Sequence, residues 1–169
     1  MKKVPISFFQ RDVLTVAPEL LGKVLVRKFE DGTEERYVIT EVEAYRGEED
    51  LACHAAKGRT KRTEVLYHEG GKIYVYLIYG MYWLLNFVTG NTGEPQAVLI
   101  RSLKGLTGPG RLGKRLQLNK DFYGESLDSG KLWIEDGEEI ITKYDTTPRI
   151  GIEYAGEWKH KPWRFIRKE

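Results

Sequence analysis

The chain has 169 residues, 41% hydrophobic and 31% charged, a length that suits one domain and a composition too apolar for disorder. Net charge is +2, so any basic footprint for a polyanion has to be local. A single cysteine, Cys53, excludes an internal disulfide and suits a reducing compartment, and no apolar run approaches the roughly 20 residues of a membrane span. Lys2 and Lys3 precede no signal-like apolar region, which predicts an intracellular protein.

Residues 7–21 read as a helical start, with Val13, Val16, Leu20 and Leu21 near helical spacing and Pro18 in a break or a first turn. Gly22 ends that element. Residues 23–29 alternate as a strand, Asp31-Gly32 is a hairpin signal, and residues 35–45 (ERYVITEVEAY) are the return strand. On it Thr40, Val42 and Ala44 share one face, and Glu41, Glu43 and Tyr45 the other. The two carboxylates are then roughly 6–7 Å apart. Such a face is either solvated or a substrate face, with a carboxylate to handle a proton and a ring to stack.

Residues 46–63 are polar, with an acidic start at Glu48, Glu49 and Asp50 that suits a short helix running to Lys57. Cys53-His54 lacks metal-ligand spacing, so His54 is a packed, hydrogen-bonded residue or part of a site. Lys57, Arg59, Lys61 and Arg62 follow with no acid among them, as a solvated loop or a phosphate contact.

Residues 73–87 (IYVYLIYGMYWLLNF) are apolar, aromatic and β-branched on both sides of Gly80, the pattern of a β-hairpin with Tyr79-Gly80 at its tip. A tip carrying Ile78, Tyr79, Met81 and Tyr82 is unfavourable in water unless the protein, a partner or stacked bases cover it. Tyr74, Tyr76 and Tyr82 can equally be ordinary core or cross-strand aromatics. Residues 97–103 (AVLIRSL) read as a buried strand in which Arg101 needs an anionic or acceptor partner. Residues 105–113 are glycine-rich without the ending of a nucleotide P-loop, and residues 113–118 read as a short helix with Lys114 and Arg115 in its first turns. Strands are expected at 132–136, 149–154 and 163–166. The whole predicts one α+β domain over 1–169, with a curved, mostly antiparallel β-sheet, short flanking helices and a protruding β-hairpin.

EVEAY, a His eleven residues after Glu43, YVYLIYGMYWLLN, VLIRSL and PRIGIEYAGEW occur in this order. Together they resemble the alkyladenine (3-methyladenine, N-methylpurine) DNA glycosylase family, from about Leu20 to the C-terminus. The resemblance implies a base-excision repair enzyme that flips a damaged purine from duplex DNA and hydrolyses its N-glycosidic bond. The expected substrates are 3-methyladenine, 7-methylguanine and hypoxanthine. It implies no metal or organic cofactor, no membrane partner, a monomer, and a prokaryotic cytoplasm or nucleoid. No lysine falls at a lyase nucleophile, so the activity expected is monofunctional. Glu43 falls where the family has its water-activating base, Tyr45 and Tyr76 where two rings sandwich the base, and His54 where a residue contacts the base edge. Tyr79, with Met81 beside it, falls at the duplex wedge, Asn86 at the group that disfavours guanine, and Arg101 near the water and the nucleotide's phosphate. Ile150 falls where a backbone carbonyl holds the water, and Arg59, Arg62, Lys114 and Arg115 are candidate phosphate contacts. Two other classes remain: a non-catalytic DNA-lesion-binding protein on the same scaffold, and a carbohydrate hydrolase using Glu41 and Glu43.

Overall fold

In the computed structural model, which describes residues 2–168, the predicted first helix is split. A 3-10 turn, Ile6–Phe9, precedes helix α1, Val13–Leu20, whose start is capped by the Asp12 carboxylate accepting from the Leu14 amide at 2.9 Å. Pro18 lies inside α1, near its end, where a missing N–H costs one bond of a helix only two turns long.

Among the described residues nine strands form the sheet: β1 Val24–Lys28, β2 Glu34–Arg46, β3 Ile73–Ile78, β4 Tyr82–Val88, β5 Gln96–Leu103, β6 Leu106–Thr107, β7 Leu132–Glu135, β8 Tyr144–Thr147 and β9 Arg164–Arg167. The main order is β3-β4-β5-β2-β1-β7, with β9 also pairing β2, and every ladder is antiparallel. Strand β2 is the spine. Its first half pairs with β1, and its second half lies between β5 and β9. A register shift against β5 between Ile39 and Val42 marks a bulge. It explains why Ile39, then Val42 and Ala44, all reach the core although strict alternation cannot place an odd and an even pair together. Beyond the bulge Glu41, Glu43 and Tyr45 face away from that core, as the alternation predicts.

The main core lies between the sheet and helices α1 and α2 (Pro109–Arg115), with Phe9, Leu20, Ile39, Phe87, Ile100 and Leu112 buried in it. Each such side chain contributes roughly 1.5–3 kcal/mol relative to an exposed one. A second cluster, including Cys53, Ala55, Leu66 and Tyr74, packs behind the other face of the hairpin.

Three expected elements differ. The helix expected at 48–57 is a 3-10 turn limited to His54–Lys57, because Asp50 turns inward and is fully buried. The strand expected at 149–154 is a turn leading into a 3-10 segment, Glu153–His160; Gly151 at φ 75° breaks the extended run and Arg149 buries its side chain. The helix expected at 113–118 is α2, one turn earlier. Gly113 is internal to it: a Cβ there would stand 2.0 Å from the Trp83 carbonyl oxygen, so this glycine lets the helix touch the hairpin rather than open an anion cradle. Lys114 and Arg115 therefore occupy the last turn.

Candidate active site

The hairpin, β2, β5 and the segment after Arg149 enclose a cavity of about 610 Å³, within the usual range of ligand pockets. Its wall includes Tyr45, His54, Tyr76, Asn86, Arg101 and Ile150, which are scattered over more than a hundred positions in the chain. Side-chain alternation carries Tyr74, Tyr76 and Ile78 to this face of β3 while Ile73 and Val75 enter the core.

Glu43 lies directly behind the wall with no exposed surface. Its Oε1 accepts from the Tyr45 hydroxyl at 2.7 Å and stands 3.5 Å from Arg101 Nη1, while Oε2 accepts from the Ile150 amide at 2.7 Å. The three groups that hold the carboxylate are thus the three that separate it from the cavity. The backbone group of Ile150 that meets Glu43 is its N–H; the carbonyl makes no such contact. Burial, then the Glu43 charge, push the Tyr45 phenol well above its ordinary range, so it remains a donor.

Arg101 also stands 3.5 Å, through Nε, from Glu41. Glu41 is itself held by Arg164 and by the Ser102 hydroxyl at 2.8 Å. Arg101 Nε is buried and makes no hydrogen bond among the described residues, while the side chain lines the cavity between the two carboxylates.

The aromatic side is a stack of contacts. His54 and Tyr76 rings meet at 4.4 Å between centroids, and His54 Nδ1 is 2.7 Å from the Tyr74 hydroxyl. Burial, reinforced by Arg62 and Lys57, depresses the His54 imidazole to about 4, so it is neutral near pH 7. Burial likewise raises Tyr76. Asn86 is buried and donates to the Tyr74 carbonyl at 3.2 Å, which fixes the amide in the wall. At the hairpin tip Tyr79 and Met81 are 84% and 64% exposed, and Tyr79 adopts φ 53°, a conformation in which a non-glycine residue is strained.

The basic residues divide. Arg62 packs against Tyr76, its guanidinium 5.5 Å from the ring centre, and lines a neighbouring groove with Leu77 and Tyr123. Arg59 is engaged by Glu64, just beyond the run that looked free of acids, and Arg115 donates to the Tyr37 hydroxyl and Glu35. Lys114 is exposed on α2. Sequence reasoning missed Asp50, Arg149, Glu41 and Arg164 as structural partners of the site; a lone Arg opening an apolar run was the available sign for Arg149. Among the described residues no cluster of His, Cys, Asp or Glu is arranged to hold a metal ion, and no helix is long and apolar enough to cross a membrane. Cys53 is buried behind the His54 turn, its thiol pushed up to about 12 by burial.

The profile of the family described as "Methylpurine-DNA glycosylase (MPG)" matches residues 7–108 and 104–169. Relatives named "Putative 3-methyladenine DNA glycosylase" align over nearly the whole chain. One from Legionella pneumophila (strain Corby) is 44% identical, covering 100% of this chain and 96% of its own length. One from Methanocella arvoryzae is 41% identical, covering 99% and 94%. One from Myxococcus xanthus is 44% identical, covering 98% and 90%.

Proposed function

Since the chain belongs to the methylpurine-DNA glycosylase family, a family of DNA glycosylases that hydrolyse N-glycosyl bonds in base-excision repair, we propose that it extrudes alkylated purines from duplex DNA and releases them with water activated by Glu43. The substrates we infer are 3-methyladenine, 7-methylguanine and hypoxanthine. The observation that carries the reading is the Glu43 carboxylate, gripped by Tyr45 and Ile150 and set behind a cavity walled by Tyr45, Tyr76, His54 and Asn86.

Each part has a job in that reaction. Flipping costs a few kcal/mol of stacking and pairing, least for a damaged base. Tyr79, with Met81, fills the gap left in the duplex. The base lies between Tyr45 and Tyr76, and base–aromatic stacking returns roughly 1–3 kcal/mol. The neutral His54 adds no positive charge beside a cationic alkylated purine, while the ring faces attract it. Asn86 crowds the exocyclic amine of guanine. Water reaches Glu43 from the side of the wall formed by Tyr45, Arg101 and Ile150. Glu43 takes its proton, the Ile150 carbonyl helps hold it, and Arg101, beside the carboxylate, meets the nucleotide's phosphate. Arg59, Arg62, Lys114 and Arg115 steer the phosphate backbone, with Arg62 beside Tyr76. The protein acts as a monomer in one domain, without metal, and it leaves an abasic site without cutting the strand.

The decisive experiment incubates the protein with duplexes carrying each modified purine and measures released base and abasic sites. Release from at least the alkylated substrates is expected. Tight lesion binding with no release would instead support a non-catalytic lesion-binding protein, and sugar turnover without DNA activity a carbohydrate hydrolase.

A further inference from the structure

One residue before Ile150, Arg149 is fully buried against a fully buried Asp50. The pairing is a fork on a fork: Nη1 to Oδ2 at 2.7 Å and Nη2 to Oδ1 at 2.9 Å. Nη1 also donates to the Ala44 carbonyl at 3.0 Å, between Glu43 and Tyr45 on β2, and Nη2 to the Trp158 carbonyl at 3.2 Å. The guanidinium carbon sits 4.9 Å from the Tyr45 ring centre and 5.0 Å from that of Trp163. Asp50 in turn accepts from the Arg46 amide at 3.0 Å and the Ala52 amide at 3.1 Å. The pair therefore ties together the end of β2, the loop leading to His54 and the segment that presents Ile150.

We propose that Arg149 and Asp50 are positioning residues for the hydrolysis, fixing the Ile150 amide on Glu43 and the Tyr45 ring beside it so that the carboxylate holds one orientation toward the base. The proposal rests on the reading of Glu43 as the base. Burying two charges is costly, and packing alone would be served as well by an apolar pair. What an apolar pair cannot supply is a planar fork that satisfies acceptors on separate segments at once, and a lysine cannot supply it either.

The test compares wild type with Arg149→Lys, which keeps the charge and loses the fork. Single-turnover base release is measured on saturating lesion duplex, with duplex affinity by anisotropy and folding by circular dichroism. A loss of about 10–100-fold in the rate is expected, the scale of a small misplacement at a reacting centre, with affinity within about 3-fold of wild type.

A folded variant with a rate within 3-fold of wild type overturns the proposal. A purely structural pair lowers thermal stability and leaves both rate and affinity in place. Should Arg149→Lys not fold, the double substitution Arg149→Met with Asp50→Asn removes both charges together and is held to the same criteria; if neither folds, the pair is structural and the positioning role is rejected. Glu43→Gln is run alongside. If it too releases base at the wild-type rate, the reading of Glu43 has failed, which is a different result from the failure of Arg149 alone.

Discussion

At the hairpin tip the protein holds an aromatic ring 84% exposed on a strained backbone, while at the floor of the cavity it holds Glu43, a carboxylate with no exposed surface at all. Each region reverses the usual placement of its residue type. The reversals differ in how they are supported. The floor is over-supported: Glu43 accepts from a phenol and a backbone amide, Glu41 from Arg164 and Ser102, and Asp50 from Arg149 and two backbone amides. The tip has almost nothing around it; a Cβ added at Gly80 would meet no atom within 4 Å. A region saturated with partners keeps its geometry before the ligand arrives, whereas one without partners acquires them from the ligand. Chemistry is then a property of the floor and grip a property of the tip, and substitutions in the two should separate rate from affinity.

The sharpest break of that division is Glu43→Gln. The amide preserves shape and removes the proton acceptor, so base release should fall by about 10²–10⁴-fold while lesion-duplex affinity stays close to wild type. Comparable losses of both, measured by single turnover and anisotropy on the same preparation, would mean that the floor also grips.

The next effect is on stability and concerns the wall between the two regions. His54 titrates near 4 in the folded protein, through burial first and then Arg62 and Lys57, against 6.5 unfolded. A base depressed on folding gives stability that is fully present above the unfolded value and is lost as pH falls from about 6.5 through about 4. At 1.36 kcal/mol per unit the ceiling is roughly 3 kcal/mol. His54→Gln should be less stable than wild type at pH 7 and should lose less stability between pH 7 and pH 4.5 in urea titrations. Parallel pH curves for the two proteins would show that His54 is solvated, and the wall looser than its contacts indicate.

Legibility in the sequence follows the same division. The tip was readable because glycine flanked by apolar strand residues is a local signal, and the strand faces were readable because alternation is local too. The alternation of β2 holds from Val42 onward, past the shift at Ile39–Val42, and that is where Glu43 and Tyr45 lie. Glu43, Tyr45, His54, Tyr76, Asn86, Arg101 and Ile150, which the sequence motifs single out, converge on one cavity and the carboxylate behind it. Their supports were not readable. Asp50 and Arg149 are 99 residues apart and meet only in the folded chain, so the acid looked like a helix start and the arginine like a strand start. Gly113 is opaque for a related reason: its role is set by the Trp83 carbonyl against it, a contact absent from local pattern. Arg59 looked free because its acid, Glu64, lies just outside the basic run.

The smallest expected effects belong to the tip, where they should have opposite signs. Tyr79→Asn keeps a side chain that tolerates positive φ and removes exposed apolar surface, so the free protein should be as stable as wild type or more stable by up to about 1 kcal/mol. The same substitution removes the wedge, and affinity for lesion duplex should weaken about 10-fold, or about 1.4 kcal/mol. A gain in folding alongside a loss in binding is the signature of strain held for a ligand. Urea midpoints and anisotropy titrations on the two proteins decide it. If Tyr79→Asn lowers stability, the ring is supported by the fold and the contrast with the floor is false; if affinity is unchanged, the exposed ring has no part in gripping DNA.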